Sequence, residues 1–280
     1  MSRRISGAPL VILACLFWSF SGVLGKTVTY HPLTLTGFRA LIAAVMLGGA
    51  RRSFRPAFSR GVMLGAWGVT LTSIFFMYAN RLTTAANAIV LQYAMPAFVI
   101  LFSYLAYRQK PTRLDLICAA LVLCGVLMCF VEGLGGGRLT GDILALLSAV
   151  SWAMVFFAAR MPGVDAMTYS YMGNLISAAL LLYIPFDPGF SLAPGQLLPA
   201  GAMGVCLGLG YLMFSLGMRR GVNPIAAAIV SNVEPVMNPT WVFLFAGEFP
   251  GVFSIAGALV VLSSVTVYSI LQNRKAASAQ

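Results

Sequence analysis

Charge is scarce in this 280-residue chain, where Asp, Glu, Lys and Arg together make up only 9% of the residues. Histidine is scarcer still. His31 is the sole one, it precedes Pro32, and it reads as a turn residue. Without a second histidine, the metal-dependent and serine-histidine chemistries of intramembrane proteases are disfavoured, and neither HExxH nor a nucleotide-binding glycine loop is present. No catalytic residue, metal site or cofactor is therefore expected, and the chain does not read as an enzyme. Cys15, Cys118, Cys124, Cys129 and Cys206 all lie in apolar stretches without a CxxC pair, as small buried apolar residues do. What is abundant is apolar surface: 60% hydrophobic residues and a mean hydropathy of +0.90 are too much for a soluble core of this size. That composition belongs to a polytopic membrane protein. The formal charge of +11 would point to nucleic acid in a soluble chain. Here the cations occupy short loops between apolar runs, where they record membrane topology, and no nucleic-acid partner is expected.

Ten apolar segments approach the roughly 20 residues that cross a bilayer. They span about 8–27, 33–50, 61–80, 85–107, 113–131, 141–160, 166–185, 197–217, 222–246 and 251–271. The first follows Arg3 and Arg4 and imitates a signal peptide, but it runs on through Leu24, so it reads as a retained span. With the N-terminus inside, 14 of the 18 cations fall on the cytoplasmic side, leaving Lys26, Arg39, Arg81 and Arg138 outside. This bias predicts a multi-pass protein with both termini in the cytoplasm. The short links RLTTA and RRGVN make antiparallel hairpins of the third and fourth and of the eighth and ninth spans. The eighth span carries Gly201, Gly204, Gly208, Gly210 and Gly217, small residues that let helix backbones approach in lipid.

The second half of the chain repeats the first. Arg81 aligns with Arg220, Ala88 with Ala227, Pro96 with Pro235 and Pro111 with Pro250, each pair 139 residues apart. Trp18 and Lys26 align with Trp152 and Arg160 at an offset of 134. Five spans per half make the halves cross the bilayer in opposite senses, the arrangement of inverted-repeat secondary transporters. The expected fold is all-α, with ten transmembrane helices in two inverted five-helix repeats, residues 1–136 and 137–280, around a central cavity.

The duplicated pattern consists of an alanine-rich helix, a central proline, a short turn and a glycine-bearing last helix. It reads AANAIVLQYAMPAFVILFSYLAYRQKPTRLDLICAALVLCG in one half and IAAAIVSNVEPVMNPTWVFLFAGEFPGVFSIAGALVVLSS in the other. With Trp18 and Trp152, it resembles the drug/metabolite transporter superfamily, and within it the EamA-type ten-span carriers. The sequence resembles most the YddG-type bacterial exporters of aromatic amino acids and related amphipathic compounds. Gly247 and Glu248 keep the GE typical of the turn before the last helix, whereas the first half has Arg108 and Gln109, so the turn acid reads as structural. The resemblance implies the bacterial inner membrane, a cavity lined by the first four spans of each half and alternating access by rocking of the halves, without nucleotide hydrolysis.

Pro96 and Pro235 lie mid-span and deprive the carbonyls of Gln92 and Ser231 of a hydrogen bond. Each marks either a kink that improves packing or a discontinuity facing a cavity. Glu234 is the one acid near a span centre, on a helical face with Ser231 and Asn238. It either binds a substrate amine or carries a coupling proton, or it is a protonated partner that holds the kinked helix. Substrate contacts are expected from Trp18, Tyr78, Asn87, Gln92, Tyr93, Trp152, Asn174, Tyr211, Asn232, Glu234 and Asn238. Their amides suit ammonium and carboxylate groups, and their rings suit aromatic or cationic ones. For each residue the competing reading is an interfacial aromatic or interhelical glue. Lys26 and Arg39 read as outer-end cations that snorkel or meet a carboxylate at the mouth. A cavity without deep positive charge fits neutral, zwitterionic or cationic solutes better than phosphorylated ones.

The expected function is export of amino acids, aromatic ones foremost, and related amphipathic metabolites, by a secondary active or facilitative carrier acting as a monomer or weak homo-oligomer among membrane lipids. The alternatives are export of cationic or neutral drugs or other metabolites, and a channel- or scramblase-type protein.

Overall fold

A computed structural model describes residues 7–108, 112–135, 138–222, 227, 231, 234–247 and 251–278. Every regular element among them is helical. The chain runs through α1 (Ala8–Thr27), α2 (Pro32–Arg51), α3 (Arg60–Leu82), α4 (Ala85–Gln92), α5 (Met95–Tyr107) and α6 (Arg113–Gly135). It continues through α7 (Leu139–Ala158), α8 (Ala166–Ala178), a 3-10 helix (Ala179–Phe186), α9 (Pro194–Arg219), α10 (Glu234–Ala246) and α11 (Val252–Ser278). Six described segments are long and apolar enough to cross a membrane: α1, α2, α3, α7, α9 and the stretch Asn87–Ala106, which runs from α4 into α5.

Local chemistry sets where these helices begin. His31 precedes Pro32 at the first turn of α2, where a missing N–H costs nothing, and its imidazole accepts from the Leu33 amide at 3.3 Å. Ser59 caps α3 through the Val62 amide at 3.2 Å, Thr84 caps α4 through that of Asn87 at 3.1 Å, and Asp165 caps α8 through that of Thr168 at 3.1 Å.

Polar residues are scattered through an apolar core, and large apolar residues also cover the outside. Thr34, Thr36, Ser73, Asn80, Asn174 and Ser177 are buried, while Leu101, Leu105, Ile117, Phe245 and Leu259 stand exposed. In water such a surface would aggregate; in hydrocarbon it is the matched solvent. Helix α3 lies along α7, and α1 along α9. Helix α2 packs against both α8 and α9, α3 also against α8, α1 against α10, α4 against α7, and α6 against α11.

Glycines set how closely α9 is approached. Gly204 faces Ile42, Gly208 faces Met46 and Ala43, Gly210 faces Trp18, and Gly217 faces Val11. Gly201, expected to act in the same way, has open space around it, so that position takes no part in close helix approach.

Candidate functional site

The proline-bearing segments organise the centre of the bundle. Pro96 has no N–H to offer the Gln92 carbonyl, and α4 stops at Gln92. The chain turns through Tyr93 and Ala94 and restarts at Met95, with Pro96 in the first turn of α5. The described part of α10 begins at Glu234, with Pro235 next, and Met95 and Glu234 keep the 139-residue register. Pro96 thus follows a two-residue interruption of the helix at Tyr93 and Ala94. The two segments meet: the Tyr93 hydroxyl donates to Oε2 of the buried Glu234 at 2.8 Å.

Around this pair lies a cavity of about 40 Å³. That admits a few waters, and it is too small for an amino acid. Trp18 and Ser21 of α1, Arg39 of α2, and Thr72, Ser73 and Phe76 of α3 form one part of its wall. Gln92 of α4, Trp152 of α7, Leu207 and Tyr211 of α9, and Glu234 of α10 complete it. Its aromatic side is a linked cluster. The Trp18 ring meets those of Trp152 and Tyr211 edge-on, each at 5.2 Å between centroids, and the Trp152 and Tyr211 rings lie 6.2 Å apart. Phe214 closes behind them, 5.8 Å from Trp18 and 6.3 Å from Trp152. Trp18 fits there only because Gly210 has no side chain; a Cβ at that position would overlap the indole.

Of the residues expected from sequence, Trp18, Gln92, Trp152, Tyr211 and Glu234 line this cavity, and Tyr93 joins it through Glu234. The others lie elsewhere. Tyr78 is ring-packed with His31 at 5.7 Å. The Asn87 amide donates to Oδ1 of Asp142 at 3.5 Å, an oxygen that also accepts from Thr83 at 2.7 Å. The Asn174 amide donates to the Ser170 carbonyl within its own helix at 2.8 Å. Asn238 is fully buried with its amide pressed on Gly22 of α1. Asn232 lies outside the described residues.

Sequence reasoning missed Arg39. Counted among the outer cations, it is instead only 3% exposed and lines the cavity, so it neither snorkels nor sits at a mouth. The signal was its depth: seven residues beyond Pro32 at 1.5 Å per residue put it about 10 Å into the span. Asp142, fully buried in the first turn of α7, was also missed.

Loops close both ends of the bundle. At one, the Thr29 amide donates to Gln196 at 2.8 Å, the His31 amide donates to Asp187 at 2.9 Å, and Arg81 donates to the carbonyls of Val28 and Tyr30. At the other, Tyr171 donates to the Phe54 carbonyl at 2.7 Å beneath the Arg51 guanidinium, and Arg219 forms a two-point pair with Asp165 at 2.7 and 2.9 Å.

Comparison with known proteins gives the setting for this geometry. The profile of the EamA-like transporter family matches residues 5–131 and matches again over 139–270. A pseudopaline exporter, CntI, of Pseudomonas aeruginosa is 28% identical over 266 residues, covering 92% of this chain and 93% of its own. The aromatic amino acid exporter YddG of Ancylobacter novellus is 24% identical over 295 residues, covering 98% and 100%. A solved crystal structure at 20% identity superposes with a TM-score of 0.70 over 96% of this chain and 98% of that one, a likeness of fold.

Proposed function

The chain belongs to the EamA-like transporter family, and we propose that this membrane transporter exports amino acids, aromatic ones foremost, and related amphipathic metabolites by alternating access. The observation that carries the reading is the convergence of Trp18, Trp152 and Tyr211 with Glu234 on one cavity. Rings arranged edge-on can open to take a planar side chain between them. A carboxylate held at the far wall can take an ammonium group. At about 40 Å³ the cavity cannot hold such a molecule until its walls part, as a carrier requires and an open pore does not. Of the relatives, one is named for aromatic amino acids and the other for pseudopaline, and both are exporters.

Two inverted five-helix halves, residues 1–136 and 137–280, supply the motion in this reading. The helix pairings support it: exchanging the halves turns the α1–α9 pairing into α7–α3, α2–α9 into α8–α3, and α1–α10 into α7–α4. The pairs α2–α8 and α6–α11 map onto themselves. The double match of the family profile points the same way. The chain then makes ten crossings, with the described interruption inside the fourth, in an inner membrane with both termini cytoplasmic.

The test is a panel of radiolabelled amino acids in proteoliposomes of the purified protein, with and without a pH gradient. Saturable counterflow of phenylalanine, tyrosine or tryptophan is expected. Non-saturable flux would favour the channel or scramblase reading instead.

A further inference from the structure

Arg39 is the charged group in the cavity wall that the reading above leaves unused. Arg39 is only 3% exposed, and its buried Nε has no hydrogen-bond partner. Among the described residues it forms no ion pair. Glu234, the acid that shares its cavity and its field, accepts its hydrogen bond from Tyr93 instead. Thr72, another residue of the same wall, also has a buried hydroxyl without a partner.

A buried guanidinium without a counter-ion is costly, and folding alone gives no reason to keep one. In a membrane interior the cost is greater, and such residues face ligands or ion paths. The planar fork of Arg matches a carboxylate with two parallel N–H···O bonds, and a hydroxyl in the same wall supplies a third donor. Phosphate would fit the same fork, but Glu234 across so small a space repels a doubly charged group while favouring an ammonium.

We propose that Arg39, with Thr72, binds the substrate carboxylate while Glu234 binds its amino group, so that the cavity reads a zwitterion and discriminates against amines that lack a carboxylate. This rests on the export reading above and narrows it, because cationic and neutral drugs fall outside the substrate class. It also gives the substrate an electrostatic role: a bound zwitterion neutralises two groups that otherwise face each other across the cavity without pairing.

The experiment measures binding to the purified full chain by quenching of its tryptophan fluorescence, using L-phenylalanine, L-phenylalaninamide, phenethylamine and L-serine. The wild-type protein should bind phenylalanine at least about 30-fold more tightly than the amide or the amine, the loss expected when one partner of a buried charge pair is removed. Arg39→Gln should abolish that preference, Arg39→Lys should restore part of it, and neither should weaken phenethylamine binding more than about threefold.

Equal binding of phenylalanine and phenethylamine by the wild type, or an unchanged preference in Arg39→Gln, would overturn the proposal while leaving export of amino acids standing. Binding of serine as tightly as phenylalanine, lost in Arg39→Gln, would overturn the aromatic preference and support the carboxylate site. Binding of none of the four would overturn both.

Discussion

Replacing Gly210 by alanine tests the aromatic wall of the cavity through one methyl group. The added Cβ would fall on the Trp18 indole, at Nε1 and Cδ1, well inside normal carbon contact distance. Helix α9 cannot retreat as a whole, because Gly204, Gly208 and Gly217 bind it closely to α2 and α1. The ring must therefore move, and it is held on its other sides by Trp152 at 5.2 Å and Phe214 at 5.8 Å. Overpacking of this kind costs about 1–3 kcal/mol. Loss of the edge-on contacts adds about 0.5–1.5 kcal/mol. Together they should lower the melting temperature in detergent by about 5–10 °C, taking about 2–4 °C per kcal/mol. The KM for an aromatic substrate should rise while that for a non-aromatic one changes less. Gly201→Ala on the same helix is the matched control: with open space around it, it should leave stability unchanged or slightly raised, as helix propensity favours. If Gly210→Ala behaved like Gly201→Ala in both melting and KM, Trp18 would not be seated as described and the aromatic wall would lose its basis.

Three further perturbations probe other parts of the molecule. Glu234→Gln removes the charged acceptor for a substrate amine and should weaken binding of amine-bearing substrates about ten- to a hundredfold; unchanged transport with unchanged pH dependence would make both the amine-binding and the proton-carrying roles untenable. Tyr93→Phe removes the 2.8 Å bond to Glu234, and a double-mutant cycle between Tyr93→Phe and Glu234→Gln should give a coupling of at least about 1 kcal/mol in melting experiments, since the two residues share one bond; additive effects would mean that the bond does not join the two segments. Asp165 lies in the loop before α8, where burial raises its carboxyl but the hydrogen bonds from Arg219 and Thr168 outweigh that and hold it below the usual carboxylate value. A lowered value means its contribution is present at neutral pH and is lost as pH falls through it; because the Asp165 and Arg219 side chains are 33% and 47% exposed, that contribution is only about 0.5–1 kcal/mol. Melting curves of wild type and Asp165→Asn should therefore differ slightly at pH 7 and converge near pH 3, and a gap that widened in acid would refute the pairing.

How much of this was legible beforehand depends on which physical signal carried each feature. Apolar run length marked the ends of α1, α2, α3 and α7 to within two residues, because the hydrocarbon thickness sets that length. Helix α8 instead gives way to a 3-10 helix at Ala179, and α11 runs seven residues past its apolar segment, to Ser278. The missing N–H of Pro96 marked the place where the helix is interrupted at Tyr93 and Ala94. The inward face of each helix was far less legible. These helices are apolar nearly all round, so periodicity scarcely separates a lipid-facing side from a cavity-facing one. Tyr78, Asn87 and Asn174 were chosen as polar residues in apolar spans, and they went to His31, Asp142 and a local carbonyl. Arg39 was hidden by the counting that worked elsewhere, since a cation near a span end is ordinarily a topology marker.

The internal register sharpens what remains. At the offset that pairs Trp18 with Trp152, Arg39 pairs with Gly173; at 139, Gln92, Tyr93 and Met95 pair with Ser231, Asn232 and Glu234. Gly173 is packed against Val69 and Ala66, a site with no room for a guanidinium. The aromatic pair is thus repeated, and the polar groups of the wall are not. A duplicated scaffold supplies two equivalent proline-bearing helices and two equivalent tryptophans, but a zwitterion has two different ends. Binding it in one orientation requires opposite charges at positions the duplication does not relate, and Arg39 and Glu234 occupy such positions. Introducing a carboxylate at the counterpart of Glu234, as in Met95→Glu, should therefore not improve transport. Met95 is fully buried, and a second acid there would compete with the substrate carboxylate for Arg39.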